Sequence, residues 1–181
     1  MDGGMPLMKA LAARATSRTF SDADLPLQVL ADLLWAADGI NRPENGHRTA
    51  PSANNVQNIE IYVALKIGLY VYDAKENSLK PVLGEDVRAA TGSQDFVKIV
   101  PLDLVYVADL SKFTRGTDES KNFYSAAHTG FIAQNVYLFC ASEGLSVVVR
   151  GMGDKDALAK FMKLRPAQKV MLSQSVGYPK K

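Results

Sequence analysis

The apolar positions of this chain change period several times, and each change marks an element. Leu7, Met8, Leu11 and Ala12 recur at helical spacing after Pro6, which predicts a helix to about Ala15. Ser21-Asp22-Ala23-Asp24 then supplies cap oxygens and acidic first-turn residues ahead of Pro26. Leu27, Leu30, Leu33, Leu34 and Ala37 predict a second amphipathic helix, stopped by Gly39. Residues 41–52 are polar and carry two prolines and a glycine. They predict a loop, and long loops in compact domains more often carry function than decoration.

Beyond that loop the period shortens. Ile59, Ile61, Val63 and Leu65 alternate with Glu60, Tyr62 and Ala64, the pattern of a strand. Residues 69–72 after Gly68 predict a second strand in a hairpin with the first, and residues 79–83 a short third. A short helix at 85–91 and a further segment at 94–99 precede Pro101. Leu102, Leu104, Tyr106 and Ala108 then alternate through a strand ending at Asp109. Residues 123–143 predict the longest helix, about 30 Å if unbroken, with Gly144 as its stop. A strand at 145–149, a helix at 154–164 and a strand at 169–176 complete the order. The result is a single α+β domain over residues 1–181: a sandwich with a mixed sheet, not a doubly wound repeat.

The long helix is apolar nearly all round, with Ala126, Ala127, Gly130 and Ala133 beside Phe131, Tyr137 and Phe139. A helix of that kind in a chain this small needs cover from elsewhere, and a second copy of the chain is the simplest source. A homodimer with this helix central is therefore expected. At 181 residues the chain can bury a core without staples, and a formal net charge of +2 is too small to point to nucleic acid or an anionic membrane. One cysteine, Cys140, excludes an intramolecular disulfide and sits in an apolar helical run as an inert thiol. No stretch reaches the ~18 apolar residues of a membrane span. The start, Met1-Asp2-Gly3-Gly4-Met5-Pro6, has no leader pattern, which predicts the cytoplasm; a leader removed beforehand would leave the same start.

Three cassettes carry the candidate chemistry. Arg14-Ala15-Thr16-Ser17-Arg18 puts two guanidiniums and hydroxyls where the first helix ends, a set that binds phosphate and equally suits a solvated helix end. Residues 49–57 hold Pro51-Ser52-Ala53-Asn54-Asn55 with Gln57. These short polar groups read the edge of a pyrimidine-like ring, or serve as a cap for a short turn. Arg48 beside them adds a cation to the same mouth or points into solvent. Gly144-Leu145-Ser146-Val147-Val148-Val149-Arg150-Gly151 is a strand with a glycine exit, where a ligand can approach the backbone closely or the chain merely turns. Two histidines and one cysteine form no metal-ligand cluster, so no metal is expected. His47 falls on the long loop and His128 in the long helix as an interior polar group. Tyr124 and Tyr137 are both candidates to approach a ligand, and spacing selects neither.

In combination and order these residues resemble the nitroreductase-type flavoproteins. The segments that carry the resemblance are Arg14-Ala15-Thr16-Ser17-Arg18-Thr19-Phe20, Pro51-Ser52-Ala53-Asn54-Asn55-Val56-Gln57, Gln134-Asn135, Gly144-Leu145, Gly151 and the closing Gly177-Tyr178-Pro179. Arg48 to Ala53 with Glu60-Ile61-Tyr62-Val63, and Gly68-Leu69-Tyr70 with Tyr72-Asp73, look most like the azoline (thiazoline and oxazoline) dehydrogenase branch. The chain departs from the family pattern where many members place Pro-Trp after the Gln and this chain has Asn58-Ile59. It also ends almost at once after Pro179.

The resemblance implies a nitroreductase-like mixed, mainly antiparallel sheet sandwiched by helices, with the long central helix at a homodimer interface. It implies FMN at the subunit interface, with Arg14, Thr16 and Arg18 on its phosphate and ribityl chain. Ser52, Ala53 and Asn55 would face the pyrimidine side, the Gly151 N–H the reactive ring nitrogen, and Lys180 or Lys181 would complete the phosphate site. No side chain is required as a catalytic acid or nucleophile, because the flavin carries the chemistry. The implied activity is NADH- or NADPH-dependent, ping-pong reduction of a nitro, quinone or related small organic acceptor. Two alternatives stand beside it: a flavin-dependent heterocycle dehydrogenase that uses oxygen, and a flavin-binding or flavin-processing module without nicotinamide-driven turnover.

Overall fold

A computed structural model of the chain describes residues 3–180; Met1, Asp2 and Lys181, named above in the leader and phosphate arguments, lie outside the described residues. Four α-helices are present among them, α1 (Leu7–Ala13), α2 (Leu27–Asp38), α3 (Asp118–Glu143) and α4 (Lys155–Phe161). The strands are β1 (Ile40–Arg42), β2 (His47–Arg48), β3 (Ile59–Leu65), β4 (Gly68–Asp73), β5 (Ser78–Leu83), β6 (Leu102–Asp109), β7 (Ser146–Arg150) and β8 (Gln168–Gly177). The last six form one sheet in the order β5-β4-β3-β6-β8-β7. Its pairings are all antiparallel, so the expected mixed, mainly antiparallel sheet contains no parallel pair among the described residues.

Period-two alternation assigns the two faces. On β3, Ile59, Ile61 and Val63 face the same way as Leu102, Leu104, Tyr106 and Ala108 of β6, and α2 and α3 cover them through Leu30, Leu33, Leu34, Ile132 and Val136. Tyr62 and Ala64 share the opposite face with Val105 and Val107, under Leu158 and Met162 at α4. The sheet is thus a middle layer, buried on both sides, and all eight residues of β6 are buried.

Three elements differ from expectation. The predicted loop at 41–52 contains the small ribbon β1–β2, in which Ile40 pairs with Arg48 and Arg42 with His47. The segments at 85–91 and 94–99 form single 3-10 turns, Arg88–Thr91 and Asp95–Lys98, not longer helices. Helix α3 begins five residues earlier than its apolar run. Thr117 caps it by accepting the Ser120 N–H, and Asp118 and Glu119 complement the dipole in its first turn. Gly144 ends α3 in the left-handed conformation, φ 67°, that glycine adopts without Cβ strain.

Helix α3 is not buried all round within one chain. Ile132, Ala133, Val136, Tyr137 and Cys140 are buried, whereas Phe123 is 68%, Tyr124 44% and Phe131 45% exposed. Leu7, Met8 and Leu11 of α1, which packs against α3, are exposed as well. Among the described residues no helix is long and apolar enough to cross a membrane.

Candidate functional site

The first and third cassettes meet at one phenol. Tyr137 of α3 accepts the N–H of Val149 at 2.9 Å, and its hydroxyl lies 3.1 Å from the Thr16 hydroxyl. The Arg14 guanidinium stacks over the same ring, 5.4 Å from its centroid, a cation–π contact. Ser17 extends the junction, because its N–H donates to the Val147 carbonyl at 2.9 Å and its hydroxyl accepts from Ser146 at 3.1 Å. Residues 16–17 therefore run along the free edge of β7, and Arg18 lies exposed beside them. Neither Arg14 nor Arg18 is in an ion pair among the described residues.

The chain then reaches Ser21, whose N–H donates to the Tyr178 carbonyl at 2.9 Å. This bond sets the C-terminal tail beside the first cassette. Lys180 is exposed there and lines one cleft with Phe20, Ser21, Asp22, Glu143 and Tyr178.

Gly151 follows β7 directly and is exposed, and Arg150 beneath it is not. The Arg150 guanidinium is buried and donates to Asp103 at 2.6 Å, Ser175 at 3.1 Å, and the Thr91 carbonyl and hydroxyl at 2.9 and 3.1 Å. Burial pushes the Asp103 carboxyl up to about 6, against the pull of Arg150. One Asp103 oxygen, Oδ2, has no hydrogen-bond partner among the described residues. A Cβ on Gly92 would fall 1.9 Å from Arg150 Nη1, so only glycine lets that turn close over the guanidinium. This anchored arginine holds the backbone that presents Gly151. Sequence reasoning assigned Arg150 and Asp103 no role, because an alternating strand gives no sign that its second face is also covered.

The second cassette is built around α3 at another point. Ala53 donates its N–H to His128 Nε2 at 2.8 Å, and His128 Nδ1 lies 2.7 Å from Asn58 Oδ1. Ser52 accepts the Gln57 N–H at 3.0 Å and so closes the loop on itself. Asn55 is exposed, and its Oδ1 accepts from the Gln57 amide at 2.9 Å. Asn54, Asn55 and Gln57 all hold positive φ, 51°, 53° and 46°. Such strain persists only where surroundings over-determine it. Arg48 points inward: it donates to Gln57 Oε1 at 3.0 Å and to the Asp38 carbonyl at 2.8 Å, with the Asp38 carboxylate at 3.3 Å. Asp38 is pushed up to about 7 by burial, which outweighs Arg48.

The structure thus brings Arg14, Thr16 and the strand leading to Gly151 together and sets Ser52, Ala53 and Asn55 elsewhere. Among the described residues no hydrogen bond joins the second cassette to the other two. Their anchors, His128 and Tyr137, are nine positions apart on α3, about 13.5 Å along the axis and about half a turn around it. Of the two tyrosines, Tyr137 is the one that joins two cassettes, and Tyr124 stacks with His128 at 6.2 Å. His47, in β2, makes no side-chain contact with the cassettes among the described hydrogen bonds. Burial pushes the Cys140 thiol above its usual range, as befits an inert side chain.

Comparison with known proteins gives a consistent result. The nitroreductase family model matches residues 11–178. A Methanocaldococcus jannaschii protein named as a nitroreductase is 30% identical over 169 residues, spanning 88% of this chain and 85% of that one. A crystal structure from Ralstonia eutropha, named as a nitroreductase, is 43% identical with a TM-score of 0.96, covering all of this chain and 86% of its own. A structure from Desulfovibrio desulfuricans, named as a nitroreductase in complex with FMN, shares the fold at 17% identity and a TM-score of 0.71, covering 98% and 88% of the two chains.

Proposed function

The chain belongs to the nitroreductase family of oxidoreductases, and from that premise we propose that it binds FMN between two copies of itself. In this reading it uses NADH or NADPH to reduce a small organic acceptor such as a nitro compound or quinone. The observation that carries the reading is the junction at Tyr137, where Thr16 and Val149 share one hydroxyl with Arg14 stacked on the ring. Arg14 and Arg18, free of ion pairs among the described residues, suit a phosphate, which a guanidinium binds with charge-assisted, bidentate bonds. Gly151, exposed at the end of β7, suits a flat ring approached by backbone. The FMN named with the Desulfovibrio desulfuricans relative supports the same cofactor.

The half-turn between the second cassette and the other two favours a site completed across subunits. So do Phe123, Tyr124 and Phe131 on α3 and Leu7, Met8 and Leu11 on α1, all exposed in a single chain. Exposed apolar side chains on two helices that pack together suit an association face.

Bound FMN would supply two-electron redox chemistry between the nicotinamide and the second substrate. Arg14, Arg18 and Thr16 would hold the phosphate end, with Lys180 on the neighbouring tail. Ser52 and Asn55 would orient the ring edge through the hydroxyl proton and the amide NH2 group. The Arg150–Asp103 pair would keep the Gly151 backbone fixed against the ring. No side-chain acid or nucleophile is needed.

The test is an absorbance spectrum of the purified protein, followed by anaerobic mixing with NADH and with NADPH. Flavin bands that bleach with either nicotinamide, and return on adding a quinone or nitroarene, are the expected result. A colourless protein that takes up no added FMN overturns the reading. Flavin that neither nicotinamide bleaches overturns the reductase and leaves a flavoprotein of other chemistry.

A further inference from the structure

We propose that His128 is a positioning residue that fixes the Ser52–Gln57 loop for flavin through one neutral tautomer; the inference rests on the FMN reading above. The hydrogen-bond directions decide the tautomer. Ala53 N–H is a donor, so His128 Nε2 at 2.8 Å carries no proton. The proton of the neutral ring is then on Nδ1, directed at Asn58 Oδ1 at 2.7 Å. Asn58 in turn donates from Nδ2 to Ser125 Oγ at 2.8 Å, and Ser125 donates to the Lys121 carbonyl at 2.6 Å. Each donor in this relay meets an acceptor, and the relay ends on the helix's own backbone. Asn58 is fully buried and belongs to it.

The relay holds the strained part of the loop. Ala53 is the residue before Asn54, the first of the positive-φ positions, so the bond to His128 sets where the strained turn begins. Phe113 and Tyr124 flank the ring, their centroids 6.5 and 6.2 Å from its own, and the ring is buried. A proton on Nε2 would set one N–H against another, and the loop would lose its tether to α3. Burial also pulls the His128 imidazole below its ordinary range, which keeps the acceptor form in place at neutral pH.

Other charged groups face the same region from each packed element. Asp38 of α2 lines a small enclosed space with His128, Ser52, Gln57 and Asn58, and Arg48 of β2 is paired with it. Lys112 donates to the Gln57 carbonyl at 3.2 Å, and α3 itself brings Tyr124 beside the ring and Lys121 at the end of the relay. Asp38 is the one that can imitate a histidine titration, so the test must separate the two.

The experiment measures the FMN dissociation constant by fluorescence quenching from slightly alkaline to mildly acid pH in the parent, His128→Gln, His128→Phe and Asp38→Asn. Ring-nitrogen NMR of the isotope-labelled, flavin-free protein runs beside it. Gln carries an acceptor oxygen at a reach similar to Nε2 and does not titrate. His128→Gln is expected to bind within about threefold of the parent at neutral pH, and to bind progressively better than the parent in acid. Protonation of the FMN phosphate affects both proteins and cancels in that ratio. His128→Phe is expected to bind about tenfold more weakly at neutral pH, the ratio one lost hydrogen bond sustains. The spectrum should show a neutral ring protonated on Nδ1.

A ring protonated on Nε2, or a parent-to-Gln ratio that stays flat with pH, overturns the proposal. So does an acid decline that Asp38→Asn abolishes and His128→Gln leaves intact. If His128→Phe fails to fold, the Gln variant and the spectrum decide the matter. A parent that takes up no FMN at any pH overturns the flavin reading instead, a distinct failure, because the ring-nitrogen spectrum reads the relay without flavin.

Discussion

The Thr16 hydroxyl meets the phenol of Tyr137 at 3.1 Å, across 121 positions of sequence. The same phenol accepts the Val149 N–H. Tyr137→Phe keeps the ring under Arg14 and removes both bonds, leaving a partly buried N–H without its acceptor. A loss of about 1–3 kcal/mol in denaturant unfolding is expected, toward the lower end because solvent reaches the site. Bound flavin should fall with it.

Arg14 and Arg18 should be separable. Arg18 is exposed and in no ion pair among the described residues, so Arg18→Ala is expected to leave unfolding unchanged and to weaken FMN retention by about 1.5–3 kcal/mol. Arg14→Ala should weaken retention similarly and also cost about 0.5–1 kcal/mol of stability through the lost contact with the Tyr137 ring. Flavin absorbance per chain after gel filtration, with unfolding curves of the same samples, checks both. A double variant as yellow as the parent would refute the phosphate assignment.

Asp103 and Arg150 form an ion pair that is almost wholly buried. Removing one partner strands the other, so Asp103→Ala should lose about 3–5 kcal/mol in unfolding experiments. Asp103→Asn retains the shape and an acceptor for Arg150, and should lose less.

Asp38 and His128 give opposite pH dependences. Asp38 is raised from 3.8 to about 7 in the folded state, so its cost is full above about 7 and is relieved as pH falls toward 4. His128 is lowered from 6.5, so its contribution is full above 6.5 and is lost as pH falls below it. Asp38→Asn should therefore raise the melting temperature on the alkaline side and have less effect in mild acid. With Asp38 removed, the acid-side loss from His128 should steepen. Melting temperatures of parent and variant across that range check the sign.

Much of the architecture was legible because it rests on local periodicity. Strands Ile59–Leu65 and Leu102–Asp109 match the alternating runs residue for residue. Helix α3 was read short because Asp118 to Asn122 carry no apolar residue, and its true start is a polar cap at Thr117. The β1–β2 ribbon was missed because strands of three and two residues are too short to show a period. The site was legible as residue types and not as partnerships. Arg48 was expected to face the ligand mouth or solvent, and it instead locks Asp38 to Gln57. Neither that lock nor the 70-residue separation between Asn58 and His128 leaves any trace in a local pattern.

Helix α3 also behaves as a gauge block. The loop that would read a ring edge hangs from His128, and the junction that would receive a phosphate hangs from Tyr137. One residue inserted between these two positions would preserve every bond inside either cassette. It would also rotate one cassette by about 100° and shift it by about 1.5 Å relative to the other. Loops elsewhere can lengthen or shorten without that penalty, so the spacing from 128 to 137 is the dimension that couples the two cassettes.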